Sequence, residues 1–161
     1  MQKRSLVIAA TIVLALALGT MVMAADRHIG IWKLDVAKTE VTGAPGYAVL
    51  PKSCIVKIED QEKGIRLIYD VVDVEGKTTT REFFAKYNEM DYPVKGDPDV
   101  TTVSLRRINA STLGILWKKA GNDTENWRTV VSKDGNSWTI TAKRKDLKGE
   151  NFIITYVFDK Q

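Results

Sequence analysis

The 161-residue chain carries 24 Lys and Arg residues against 20 Asp and Glu residues, with one histidine and a formal net charge of +4. This length suits one domain with one hydrophobic core, and the single cysteine, Cys54, excludes an internal disulfide. The longest basic run is Lys143-Arg144-Lys145, so the charge pattern does not indicate a nucleic-acid partner.

The N-terminal segment has the order of a secretory signal peptide. A basic pair precedes a nearly uninterrupted apolar run from Leu6 to Leu18, and small residues follow before the first acidic residue. We predict cleavage after Ala24, which makes residues 1–24 a signal peptide and residues 25–161 a single mature domain. The alternative is an uncleaved anchor, because Ser5 to Ala25 is just long enough to span a bilayer. Cleavage would leave a periplasmic or secreted protein with no stable membrane anchor.

From Ile29 onward, apolar and polar residues alternate with a period of two, and Gly, Asn, Asp or Pro separate the short apolar segments. The pattern predicts ten strands: Ile29 to Asp35, Cys54 to Glu59, Ile65 to Val74, Lys77 to Tyr87, Tyr92 to Val94, Thr101 to Ile108, Thr112 to Lys118, Asn126 to Ser132, Ser137 to Arg144 and Asn151 to Phe158. Short turns join most of them, and Asp134-Gly135 is the strongest hairpin signal. We therefore predict an all-β, antiparallel up-and-down barrel of about 8–10 strands. A two-sheet sandwich is the alternative, but it needs long crossovers.

The segment from Val36 to Ser53 is the one long interruption of this pattern. It contains two prolines and two glycines, which disfavour a regular helix. Long loops in compact domains often bind ligands or cover binding sites. We predict an irregular loop that covers one mouth of the barrel.

The first predicted strand contains Gly30-Ile31-Trp32-Lys33-Leu34. It resembles the G-x-W motif that opens calycin barrels, the family of lipocalins and fatty-acid-binding proteins. The last strand, from Ile154 to Lys160, is similar to their closing strand, and the start of the domain looks like that of secreted bacterial lipocalin-like proteins. The resemblance implies a calycin-like fold in which Trp32 packs across the closed end of the barrel.

Two features of fatty-acid-binding proteins are missing from this sequence. Their last strand holds an Arg-x-Tyr pair that binds a carboxylate, and Tyr156 and Phe158 occupy the matching positions here. Their two-helix lid is replaced by the Val36 to Ser53 segment. A fatty-acid specificity is therefore not implied.

Aromatic and basic residues on the predicted strands are candidates for a ligand site. Rings supply apolar contact area together with polar groups, and arginine orients anionic ligands. The candidates are Tyr69, Arg107, Trp127, Arg128, Trp138 and Tyr156. The alternatives are that the rings fill a solid barrel and that the arginines lie on the surface with buried stems.

Catalytic and metal-binding patterns are lacking. His28 is the only histidine, and no nucleophile elbow or paired carboxylates stand out, so we expect no catalytic residues, no metal and no cofactor. We predict a monomeric, non-enzymatic binding protein for a small hydrophobic or amphipathic molecule. One alternative is an interaction or inhibitor module with a solid interior that meets a protein partner through its surface loops. Another is an enzyme built on the same barrel.

Overall fold

The computed structural model describes residues 26–43, 48–145 and 148–161. The predicted signal peptide, residues 1–24, lies outside these ranges. The described residues form ten strands and no helix: β1 (Gly30–Thr42), β2 (Ser53–Gln61), β3 (Gly64–Val72), β4 (Thr78–Lys86), β5 (Tyr92–Lys95), β6 (Thr102–Asn109), β7 (Thr112–Lys119), β8 (Asn122–Val131), β9 (Ser137–Lys145) and β10 (Asn151–Lys160).

The strands form a closed antiparallel barrel. Each strand pairs with its neighbours in sequence, and β1 pairs with β10 to close the sheet. The predicted up-and-down barrel is confirmed, and the sandwich alternative is wrong. Because β1 pairs with β10, the sheet has no terminal edge strand. No helix that could span a membrane occurs in the described ranges.

The prediction for the segment after Asp35 is wrong as far as Thr42, because β1 continues through it. Pairing with β10 is interrupted between Asp35 and Glu40 and then resumes. A carboxylate oxygen of Asp35 accepts hydrogen bonds from the backbone N–H groups of Ala37 and Lys38, at 3.0 and 3.2 Å. This bulge breaks the alternation of side chains, so the sequence pattern hides the continuing strand.

Strand β8 also begins earlier than predicted, at Asn122. Its register with β7 shifts by one residue: Trp117 pairs with Glu125, but the next residue, Lys118, pairs with Asp123. The hydroxyl of the intervening Thr124 donates to the backbone carbonyl of Trp117 at 3.1 Å. One extra residue therefore moves the alternation out of phase at the start of the strand.

The barrel has a closed end, where β1 begins and β10 ends, and a mouth at the opposite end. At the closed end Trp138 packs against Trp32 and Phe158, with ring centroids 5.8 and 5.1 Å apart. A second aromatic layer lies nearer the mouth, where Trp117 and Trp127 are 4.9 Å apart. The interior below the mouth is therefore filled by side chains.

The G-x-W motif is structural. Trp32 is fully buried, and its indole N–H donates to the backbone carbonyl of His28 at 2.8 Å. The ammonium of Lys160 lies 5.2 Å from the Trp32 ring centroid. Gly30 has a φ of 142°, and a Cβ there would lie 2.9 Å from Cε of Lys160. The motif thus lets the closing strand pass close beneath the indole.

Candidate functional site

A cavity of about 240 Å³ opens at the mouth of the barrel. Its rim comes from two connections, with Val49, Leu50 and Pro51 between β1 and β2, and Val74 between β3 and β4. Its apolar walls come from inward-facing strand residues: Leu34, Cys54, Val71, Trp127, Ile140 and Phe158. The described part of the predicted loop from Val36 to Ser53 therefore contributes directly to this site.

Three of the six predicted site residues line the cavity: Tyr69, Trp127 and Tyr156. They face inward from β3, β8 and β10. The rings of Tyr69 and Trp127 meet edge to face, with centroids 6.0 Å apart. These rings form the aromatic part of the cavity wall.

The other three predicted residues lie elsewhere. Arg128 is exposed on the outer face of β8, because side chains alternate along a strand and the preceding Trp127 points inward. Trp138 faces inward but belongs to the aromatic layer at the closed end. Arg107 also lies there: its guanidinium bonds Asp26 and stacks 4.1 Å from the ring centroid of Tyr87. None of these three contacts the cavity.

The polar groups of the cavity come from two arginines, one aspartate and the two tyrosines. The Nη2 atom of Arg144 pairs with Glu125 at 2.9 Å, and the same Glu125 oxygen accepts the indole N–H of Trp127 at 2.6 Å. Arg81 pairs with Asp97, and its guanidinium lies 5.0 Å from the Trp117 ring centroid. These contacts fix both guanidinium groups in the wall.

Two of the cavity's polar side chains retain unused hydrogen-bonding atoms. The hydroxyl of Tyr69 and Nε of Arg144 are buried and have no hydrogen-bond partner among the described residues. Buried polar groups normally have one, since burying them unpaired costs free energy. The indole nitrogens of Trp117 and Trp138 share this property but do not line the cavity.

None of the described residues that line the cavity is an activated nucleophile. Burial raises the pKa of the Cys54 thiol to about 12, so the thiol stays protonated. Burial also raises the pKa of Tyr69 and of Tyr156, although Arg144 partly offsets the effect on Tyr156. All three groups are neutral near pH 7, and Cys54 is a buried free thiol.

A second polar cluster lies at the closed end. The Nδ1 atom of His28 is 3.0 Å from Asp26, and its Nε2 atom is 3.2 Å from the hydroxyl of Thr129. Tyr87 and Arg107 donate to the second oxygen of Asp26. Burial alone would raise the pKa of Asp26, but the hydrogen bonds from His28 and Tyr87 outweigh it and hold that pKa well below its usual range.

This cluster resembles an acid–base–hydroxyl chain in its order, but a substrate cannot reach it. His28 and Thr129 are fully buried, and none of its members lines the cavity. The cluster joins the segment before β1 to strands β6 and β8. Among the described residues, no group of three or more His, Cys, Asp or Glu is placed to hold a metal ion.

Sequence reasoning missed Arg81 and Arg144. Both lie on the inward face of their strands, in step with the buried Phe83 and Ala142. The alternation therefore contained the signal. Because arginine is usually exposed, the sequence alone does not predict that either side chain points into the barrel.

No protein-family model and no curated protein sequence matches the chain. Among solved structures, it is similar to the crystal structure of zebrafish ileal bile acid-binding protein complexed with cholic acid, with a TM-score of 0.53 and 12% identity, over 84% of this chain and 99% of that one. It also matches apocrustacyanin C2 (TM-score 0.46, 13% identity) and apocrustacyanin C1 (TM-score 0.46, 14% identity), over 88% of this chain and 64% of each of those. The barrel fold that the G-x-W motif implies is confirmed: over its described residues the chain is a closed, ten-stranded antiparallel barrel with the fold of this bile acid-binding protein.

Proposed function

We propose that the barrel binds one small, largely apolar molecule in the cavity at its mouth. The observation that carries this proposal is the cavity itself, with apolar walls and a few polar groups. Ligand pockets share this composition and usually measure about 300–1,000 Å³. A volume of about 240 Å³ lies just below this range. The ligand is therefore compact.

The rim supplies a driving force for binding. Val49 and Val74 are 73% and 51% exposed, although both are apolar and border the cavity. A bound apolar molecule would cover part of these side chains and remove them from water. Below the rim, Tyr69, Trp127 and Tyr156 offer rigid rings against which the ligand can pack.

The similarity to zebrafish ileal bile acid-binding protein supports a binding role, since that protein was crystallised with cholic acid. It supports binding rather than catalysis, and the neutral thiol of Cys54 and the buried state of His28 agree with this. The alternative of an interaction module expects a solid interior, whereas this barrel has a cavity at its mouth.

We further propose that the protein acts after export, in the periplasm or outside the cell, as a monomer. Export rests on the signal-peptide pattern of residues 1–24. The monomeric state is supported by the closure of the sheet, in which the first and last strands pair with each other rather than with a second copy. Mass spectrometry of the exported protein tests the first point, since cleavage after Ala24 leaves a chain that begins at Ala25.

Native mass spectrometry of the protein purified from its producing cells tests the function. We expect a one-to-one complex with a small molecule that is released on denaturation. Val71→Phe should abolish the complex by filling the cavity, whereas Val72→Phe, on the outer face of the same strand, should retain it. A bare mass, with no thermal stabilisation by apolar compounds, would contradict the proposal because a ligand of the folded state raises stability.

A further inference from the structure

We propose that Tyr69 and Arg144 form a subsite for a carboxylate, so that the ligand is a compact carboxylic acid with an apolar body. This inference rests on the proposed function and adds the chemical class of the ligand. Both side chains line the cavity, from β3 and β9 respectively.

The first observation is the hydroxyl of Tyr69. The residue is only 4% exposed, it lines the cavity, and its hydroxyl has no partner among the described residues. The rings of Trp117 and Trp127 hold it on two sides, with centroids 6.3 and 6.0 Å away. A phenylalanine would fill the same space without burying an unpaired polar atom. The hydroxyl is therefore available to a ligand in the cavity.

The second observation is the way Arg144 is held. Glu125 binds its Nη2 atom, while its Nε atom is buried and unpaired. Glu125 also accepts a hydrogen bond from Trp127, so one carboxylate fixes both an arginine and an aromatic wall residue. An arginine already held in place loses little conformational freedom when it binds an anion.

The third observation is the distribution of charge. Arg81 and Arg144 line the cavity, whereas their partners Asp97 and Glu125 do not. Asp73, the one acid among the described residues that line it, accepts hydrogen bonds from the backbone N–H groups of Glu75 and Lys77, both at 2.9 Å. Asp73 is thus used to shape the turn between β3 and β4. The cavity consequently offers donors in excess of acceptors, and a carboxylate supplies the acceptors.

This subsite differs from the Arg-x-Tyr pair of fatty-acid-binding proteins. That pair lies on the last strand, where this chain has Tyr156 and Phe158. Here the donors come from β3 and β9, with Arg81 on β4 as a nearby cation. The polar end of the ligand is therefore expected between these strands, and its apolar body between Trp127 and the rim.

Isothermal titration with two matched probes tests the inference. The probes are 2-naphthoic acid and its neutral isostere 2-acetylnaphthalene, which differ only in the replacement of a carboxylate oxygen by a methyl group. We expect the acid to bind at least about tenfold more tightly to the wild-type protein, because hydrogen bonds to charged groups contribute factors of about 10–100.

Variants of the donors separate this role from a structural one. Arg144→Gln should weaken binding of the acid about 10–100-fold, and Tyr69→Phe about tenfold, with a change of less than about threefold for the neutral probe. Arg128→Gln is the matched control, since this arginine lies on the outer face of the neighbouring strand. Arg144→Gln leaves the Glu125 carboxylate without its ion-pair partner. If that variant does not fold, the double variant Glu125→Gln/Arg144→Gln is measured in its place.

The outcomes are distinguishable. Equal affinities for the two probes, or equal effects of Arg144→Gln and Arg128→Gln, would overturn the carboxylate subsite and leave the proposed function standing. Failure of both probes to bind, together with a bare native mass, would overturn both. Selective loss of the acid in Tyr69→Phe and Arg144→Gln would establish the subsite.

Discussion

At the closed end of the barrel, Asp26, His28 and Thr129 satisfy one another's hydrogen-bonding groups, whereas at the mouth Tyr69 and Arg144 keep buried polar atoms without a partner among the described residues. Both regions contain aromatic rings and an ion-paired arginine. The difference shows which polar groups the fold itself uses. The saturated groups of the Asp26 cluster hold the chain together, and the unsaturated groups that line the cavity are available to a ligand. The unpaired indole nitrogen of Trp138 lies at the closed end but does not line the cavity.

The largest expected effect lies at the closed end. Trp32→Ala removes a fully buried indole and its hydrogen bond to His28, and should lower the free energy of unfolding by about 3–5 kcal/mol. Urea denaturation followed by circular dichroism measures this, with the exposed Lys33→Ala on the same strand as control. A loss below about 1 kcal/mol for Trp32→Ala would show that the closed end is not the stabilising region.

The ionised carboxylate of Asp26 is expected to make the next largest contribution. Asp26→Asn should lower the free energy of unfolding by about 2–3 kcal/mol at pH 7, because charge-assisted bonds from His28, Tyr87 and Arg107 are weakened. Since the pKa of Asp26 is lowered by folding, its contribution is complete above the unfolded-state pKa of about 4 and is lost as pH falls below that value.

Unfolding experiments between pH 7 and pH 2 check this sign. The wild-type protein should lose stability in acid more steeply than Asp26→Asn, and the two curves should approach each other as pH falls below about 4. Asp123→Asn, an exposed acid at the start of β8, is the control. Parallel curves for the wild-type protein and Asp26→Asn would contradict the role assigned to this carboxylate.

Removing one hydroxyl at each end compares the two regions directly. Tyr87→Phe deletes a donor to Asp26 and should cost about 1–2 kcal/mol, whereas Tyr69→Phe deletes an unpaired buried hydroxyl and should raise stability by about 1 kcal/mol. Thermal unfolding of the ligand-free variants gives both signs. A destabilising Tyr69→Phe substitution would mean that the fold itself uses this hydroxyl.

The smallest expected effect on stability lies at the rim. Val49→Ser should change the free energy of unfolding by less than about 0.5 kcal/mol, because this side chain is largely exposed. It should still weaken binding of 2-acetylnaphthalene about fivefold, since a bound apolar molecule covers part of the valine. Val130→Ser, on the outer face of β8, should leave the affinity unchanged.

The strand order could be predicted because nearly every strand alternates regularly and short turns separate the strands. The end of β1 and the start of β8 differ from the predicted bounds because their pairing with a neighbouring strand is irregular there. The bulge after Asp35 forms opposite β10, and the shifted register at Thr124 forms opposite β7. Such irregularities depend on pairing between segments that are distant in sequence, so a period of two does not reveal them.

The candidate site could be predicted only in part, because alternation gives the direction of a side chain and not its depth in the barrel. Trp127 and Trp138 both face inward, but only Trp127 reaches the cavity. Arg107 forms an ion pair with Asp26, which lies 81 residues earlier in the chain, and no local sequence pattern predicts that contact. Arg144 follows the inward alternation of β9, which identifies it once the strand's face is known.

The most direct test of the division between scaffold and binding site is a ¹⁵N NMR titration of the protein with 2-acetylnaphthalene. The four tryptophan indole N–H signals report on both regions, since Trp127 lines the cavity and Trp32 lies at the closed end. We expect a saturable shift of the Trp127 signal and of the amides of Leu50 and Val74, with the Trp32 signal unchanged. Saturable shifts centred on Trp32, or no saturable shift at the mouth, would contradict the assignment of the cavity as the binding site.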